Sequence, residues 1–170
     1  LGDAAAAVYI EASKNPQKGI LDFKMNSWPE GANLTEVRGG GTNLHPQNPN
    51  TKNEDNLFSM NGSQIFRLSV PKTYELILEI LKKNQLKQSD IDFVIPHQAS
   101  GKGVLAYSKF GGFKKKQVIN IINKTGNCVA ASLPLALSMS LENNKISSNN
   151  LIMLIGTGAG LSIAASIIKV

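Results

Sequence analysis

Residues 151–170, LIMLIGTGAGLSIAASIIKV, carry no charged side chain from Leu151 to Ile168. A membrane-spanning helix needs about 20 consecutive apolar residues, so length alone permits one. Gly156, Gly158 and Gly160 sit in the middle of the stretch, with β-branched residues on either side. Glycine weakens a helix interior and permits a tight turn. The pattern therefore predicts two strands joined by a glycine-rich turn, and no membrane partner is expected.

The segment before this hairpin, GNCVAASLPLALSMSLENN (126–144), has no charge on any face from Val129 to Leu141. A helix that is apolar all round must be covered on all sides. Pro134 fits only the first turn, which puts the helix start near Ser132. Ala130, Ala131, Ser132, Ala136, Ser138 and Ser140 are small enough to admit close approach by another helix. Upstream, Gln117–Ile121 reads as a short strand, Gly101–Phe110 as a helix, Ile91–Ile95 as a strand and Gln85–Asp90 as a loop. Ser63 can cap a helix running to about Asn84, which Pro71 is expected to kink or split. Residues 26–57 are polar and rich in Asn, Gly and Pro, as a long excursion would be. Ala4–Glu11 and Gly19–Lys24 read as strands. Helix and strand alternate after residue 60, which argues for α/β layers on a parallel or mixed sheet.

The chain has 170 residues, 42% hydrophobic and 18% charged, as a globular domain with a sizeable core does. Its net charge of +6 suits an anionic partner. Aromatic residues are only 6% and no recognised motif is present, so nucleic acid is not an expected partner. Lys114, Lys115 and Lys116, like Lys82, Lys83 and Lys87, read first as solvated surface and second as an anion-docking face. Cys128 is the only cysteine, which excludes an intramolecular disulfide and fits a cytoplasmic location. The chain begins at Leu1 rather than Met, inside what reads as a strand. A piece of a longer protein is therefore expected.

In open α/β sheets, ligands bind beyond the carboxyl ends of strands. His97 falls there in VIPHQASGKG (94–103), Asn127 falls beyond the strand ending near Ile121, and Gly156–Gly160 follows the next. Together they offer an imidazole, a carboxamide and backbone N–H groups able to hold a carbonyl oxygen as it gains negative charge. Cys128 lies inside the apolar segment and reads as a buried, inert thiol. His45 has no companion ligand, so it reads as solvent-facing, and no metal is expected. The G-x-G-x-G spacing lacks the following helix and the acidic residue of a dinucleotide site.

IDFVIPHQAS (91–100), TGNCVAASLPLAL (125–137) and LIGTGAGLSIAASII (154–168) resemble the C-terminal half of β-ketoacyl-acyl carrier protein synthase III, a family of condensing enzymes. LGDAAAAVYI (1–10) and MNGSQIFRLSVPKTYELILEIL (60–81) resemble further segments of it, so nearly the whole chain is covered. The resemblance implies an α/β, thiolase-like fold, in which a mixed sheet carries helices on both faces. It divides the chain into end strands of a preceding half (1–25), a connecting excursion (26–60) and the C-terminal domain (61–170). It implies that His97 and Asn127 belong to a Cys-His-Asn triad, with Ala159 supplying an oxyanion N–H. Ser100, Lys102 and Thr157 match positions that bind substrate or carrier protein. The implied reaction is decarboxylative condensation in fatty acid biosynthesis, with acyl-CoA and malonyl-acyl carrier protein as substrates and no cofactor. The nucleophilic cysteine matches nothing in this chain, so the chain alone is expected to be inactive. The implied partners are acyl carrier protein, the cysteine-bearing N-terminal half and, when complete, a second copy. Ser100, Lys102 and Thr157 each depart from the family pattern. That leaves open a related acyltransferase of specialised metabolism, or a non-catalytic module that binds a carrier protein or a partner.

Overall fold

The computed structural model describes all 170 residues. The strands are β1 (Gly19–Ser27), β2 (Thr35–Val37), β3 (Phe58–Met60), β4 (Phe93–Pro96), β5 (Leu151–Gly158) and β6 (Ser162–Lys169). The helices are α1 (Gly62–Lys83), α2 (Gly101–Lys109), α3 (Ile122–Thr125) and α4 (Ser132–Glu142). The main sheet is mixed, in the order β1-β6-β5-β4. β4 runs parallel to β5, with Pro96 opposite Ile155. β6 runs antiparallel to both β5 and β1. β2 and β3 form a separate antiparallel ribbon.

The 151–170 stretch is the β5–β6 hairpin, closing at the pair Gly158 and Ser162. No helix is long and apolar enough to cross a membrane. Strand alternation then builds two cores. Val94, Met153 and Ile155 pack with Leu76, Ile77, Ile80 and Leu81 of α1 and Val104 of α2. Their neighbours Ile95 and Ile152 point the other way and pack with Ile119, Ile121 and Ala136 of α4. Helices therefore cover both faces, as successive side chains of a strand require.

α4 starts at Ser132 with Pro134 in its first turn, as expected. Its small residues do a different job from the one expected. Ser132, Ala136 and Ser140, spaced by four, are its buried residues and face the sheet rather than a second helix. Close approach to β4 and β5 is what they permit. Leu133, Leu135, Leu137 and Met139 are only partly covered, and Leu141 is exposed.

Four local expectations are corrected. Residues 4–11 form no strand, because no strand of this sheet lies beside them, and Val8, Tyr9 and Ile10 stand exposed. Gly19–Ser27, by contrast, joins β6 in the same sheet as residues 61–170. Residues 117–121 keep only one parallel bridge, Val94 to Val118, through the bond from Ile119 N–H to the Val94 carbonyl. α1 is capped by Asn61, whose side chain accepts the Gln64 N–H at 3.1 Å, while the Ser63 hydroxyl donates to that same oxygen. Pro71 lies on the exposed side, and α1 runs through it unsplit. The carbonyl that Pro71 leaves without an N–H partner can be solvated there.

β1 is tied to the end of α1 through Asp22. Its carboxylate accepts from Lys83 Nζ at 2.8 Å and from Asn84 Nδ2 at 2.6 Å. The Lys83 ammonium first, then the Asn84 amide, hold the Asp22 pKa at about 2 against the usual 3.8. A depressed carboxylate pKa favours the folded state above the unfolded value. That contribution is lost as pH falls through the folded one. Urea midpoints of the native chain should therefore drop from pH 4 towards pH 2, and Asp22→Asn should flatten that limb.

Candidate active site

Three chain segments run side by side and end at the same edge: residues 118–121, β4 and β5. β4 ends at Pro96, and the next residue, His97, donates its backbone N–H to the Ile155 carbonyl at 2.7 Å. His97 is thus pinned beside β5 just before Thr157. On its other side, residues 119–121 lead through the single turn of α3 to Asn127. His97 thus follows a strand that lies between residues 118–121 and β5.

The His97 side chain is half-buried, and neither ring nitrogen makes a hydrogen bond within the chain. Burial pushes its pKa below the usual 6.5. At neutral pH the ring is therefore uncharged, with one N–H donor and one acceptor. Asn127 is oriented by its own loop. Its Oδ1 accepts the Val129 N–H at 2.9 Å, which leaves Nδ2 as an unengaged donor. Val129 has φ of +51°, a left-handed conformation that costs a β-branched residue about 1–2 kcal/mol. The loop is also braced from outside. The Gly2 N–H donates to the Asn127 carbonyl at 2.8 Å, and a Cβ on Gly2 would lie 2.0 Å from the Thr125 carbonyl oxygen.

Ala159 lies in the exposed turn between β5 and β6. Trp28 clamps this turn: its N–H donates to the Leu161 carbonyl at 2.8 Å, and its carbonyl accepts the Leu161 N–H at 3.0 Å. Gly31 packs so closely on Leu161 that a Cβ there would sit 2.7 Å from the Leu161 Cβ. Thr157 is half-buried and, by alternation, shares the face of Met153 and Ile155 rather than that of Gly156, which packs on Leu133 of α4. Ser100 is the N-cap of α2, its hydroxyl accepting the Gly103 N–H at 3.0 Å. Lys102 is exposed on the same first turn. His97 follows β4 and Ala159 follows β5, the parallel neighbour of β4, while Asn127 lies beyond α3 in the loop before α4. Ser100 and Lys102 lie just past His97, at the start of α2.

Cys128 is buried, its Sγ donating to the Thr125 carbonyl at 3.3 Å, and His45 is exposed. Gln98, which no sequence motif singles out, is fully buried and bonded at both ends of its carboxamide. The available signal was an amide side chain inside an otherwise apolar strand end.

Residues 81–170 match the profile of the family described as 3-oxoacyl-[acyl-carrier-protein] synthase III, C terminal. A β-ketoacyl-[acyl-carrier-protein] synthase III of Coxiella burnetii is 35% identical over 99% of this chain and 50% of its own length. One from Clostridioides difficile is 34% identical over 99% and 51%. The chain spans about half the length of the curated relatives it matches. Among solved structures, the 3-oxoacyl-[acyl-carrier-protein] synthase III of Aquifex aeolicus superposes with a TM-score of 0.78 at 25% identity, over 94% of this chain and 46% of that one. A further synthase III structure gives 0.87 at 21% identity, over 95% and 50%, a likeness of fold. With the profile over its second half and relatives over its whole length, this chain belongs to the 3-oxoacyl-[acyl-carrier-protein] synthase III family and carries the C-terminal half of its thiolase-like fold.

Proposed function

We propose that the chain is the enolate-stabilising half of a decarboxylating condensing enzyme. The observation that carries this reading is the pair of free donors, neutral His97 and Asn127 Nδ2, on adjacent segment ends. An acyl group rides on a cysteine supplied by a first half. The thioester carbonyl of malonyl-acyl carrier protein then accepts from the His97 ring N–H and from Asn127 Nδ2. The carbon–carboxylate bond breaks, carbon dioxide leaves, and the electron pair passes into an enolate whose oxygen those donors hold. The enolate carbon attacks the acyl-cysteine carbonyl, and the thiolate departs. The Ala159 N–H serves the acyl carbonyl in that second step.

Lys102 and the exposed Lys114, Lys115 and Lys116 supply positive charge for an acidic carrier protein. A second copy completes the assembly. No step calls for a metal or redox cofactor, because the thioester itself is the electron sink.

Assembling the chain with a cysteine-bearing first half should restore release of carbon dioxide from malonyl-acyl carrier protein. His97→Ala should then lower it by about 10²–10³-fold, the usual loss for one preorganised donor. Unchanged turnover in His97→Ala would leave the fold standing and favour a module that only binds a partner.

A further inference from the structure

We infer that Gln98 is a positioning residue that sets the distance between His97 and Asn127, an assignment that rests on the condensing reading above. Its Nε2 donates to the Pro96 carbonyl at 2.8 Å and to the Ile119 carbonyl at 3.3 Å. Its Oε1 accepts the Ile121 N–H at 3.0 Å. Both donors and one acceptor of a single carboxamide are therefore spent on two backbone segments. One segment carries His97 as the next residue. The other turns through α3 into Asn127.

The sheet does not make this connection. The bond from Ile119 N–H to the Val94 carbonyl, which makes the Val94–Val118 bridge, is the last backbone bond between β4 and residues 118–121. Where ladder hydrogen bonds would have continued the pairing, Gln98 substitutes for them. Gln98 is fully buried, so each of its three bonds is shielded from water. Leaving the Ile121 N–H and two carbonyls without partners there would let the two segments separate. A displacement of about 1 Å in a reacting group can cost on the order of 10²-fold in rate.

The test is a double-mutant cycle in the assembled enzyme, read per folded molecule. Gln98→Met keeps the shape and removes all three bonds. Turnover should fall about 10–100-fold with KM within about twofold, and the Ile121 amide should lose its protection from hydrogen exchange. In a His97→Ala background, the same substitution should change turnover by less than about twofold, because one of the aligned donors is already gone. An equal loss in both backgrounds would make Gln98 merely structural and overturn the inference. Wild-type turnover in Gln98→Met, with His97→Ala impaired, would sink the role of Gln98 alone. Full turnover in His97→Ala would sink the condensing reading and this inference with it.

Should Gln98→Met fail to fold, Gln98→Glu answers instead. As a neutral acid it donates one bond and accepts the Ile121 N–H. Ionised, it sets a carboxylate against the Pro96 and Ile119 carbonyls. Its turnover relative to wild type should be near unity at acid pH and fall more than about tenfold at alkaline pH. A ratio that does not change with pH contradicts the assignment.

Discussion

Asn127→Asp in the assembled enzyme is expected to lower decarboxylation by about 10³-fold or more, beyond the loss in Asn127→Ala. The two substitutions separate what the side chain does for its loop from what it does for a ligand. Oδ1 of Asn127 accepts the Val129 N–H, a bond that an aspartate oxygen keeps. The loop turn, with Val129 held at positive φ, is thereby preserved. What changes is the free end. Nδ2, a donor, becomes an oxygen carrying negative charge where the enolate oxygen must gather its own. Alanine removes a donor, whereas aspartate adds repulsion. Single-turnover release of carbon dioxide, with circular dichroism as the control for folding, checks the order. Asn127→Asp as active as Asn127→Ala would mean that the amide does not face the reacting oxygen.

Ile152→Ala is expected to cost about 2–5 kcal/mol of stability, towards the upper end of that range. Ile152 lies in the centre of the sheet, opposite Phe93 on one side and Ile168 on the other, and its side chain is fully buried. It packs with Ile95, Ile119, Ile121 and Ala136. The isoleucines are stiff at χ1, and the alanine has nothing to extend into a cavity, so the site collapses poorly. Chemical denaturation of the native chain and the variant measures the difference. Leu141→Ala, at an exposed position on helix α4, which covers this face of the sheet, should stay within about 0.5 kcal/mol.

What the sequence disclosed was what short-range pattern controls. The glycines at 156, 158 and 160 broke a long apolar run into the β5–β6 hairpin, and Pro134 fixed the start of α4. The apolar run ending at Pro96 placed His97 just past the end of β4. Whatever depended on a distant partner was not legible. Ala4–Glu11 has strand composition, but a strand exists only with a neighbour to share its backbone bonds. Residues 117–121 have one neighbour and keep only one bridge to it, because Gln98 takes over the bonds of Ile119 and Ile121. Asn61 and Ser63 are both good caps, and only the helix trajectory decides between them. The four-residue spacing of Ser132, Ala136 and Ser140 was visible, but whether a helix or a sheet lay opposite was not.

In the proposed mechanism two donors share one oxygen. A crystal structure of the assembled enzyme with a non-hydrolysable malonyl thioester analogue measures this directly. The His97 ring nitrogen and Asn127 Nδ2 should both lie about 2.7–3.1 Å from the same thioester carbonyl oxygen. Side chains directed into separate cavities, with only one of them or neither reaching that oxygen, would contradict it.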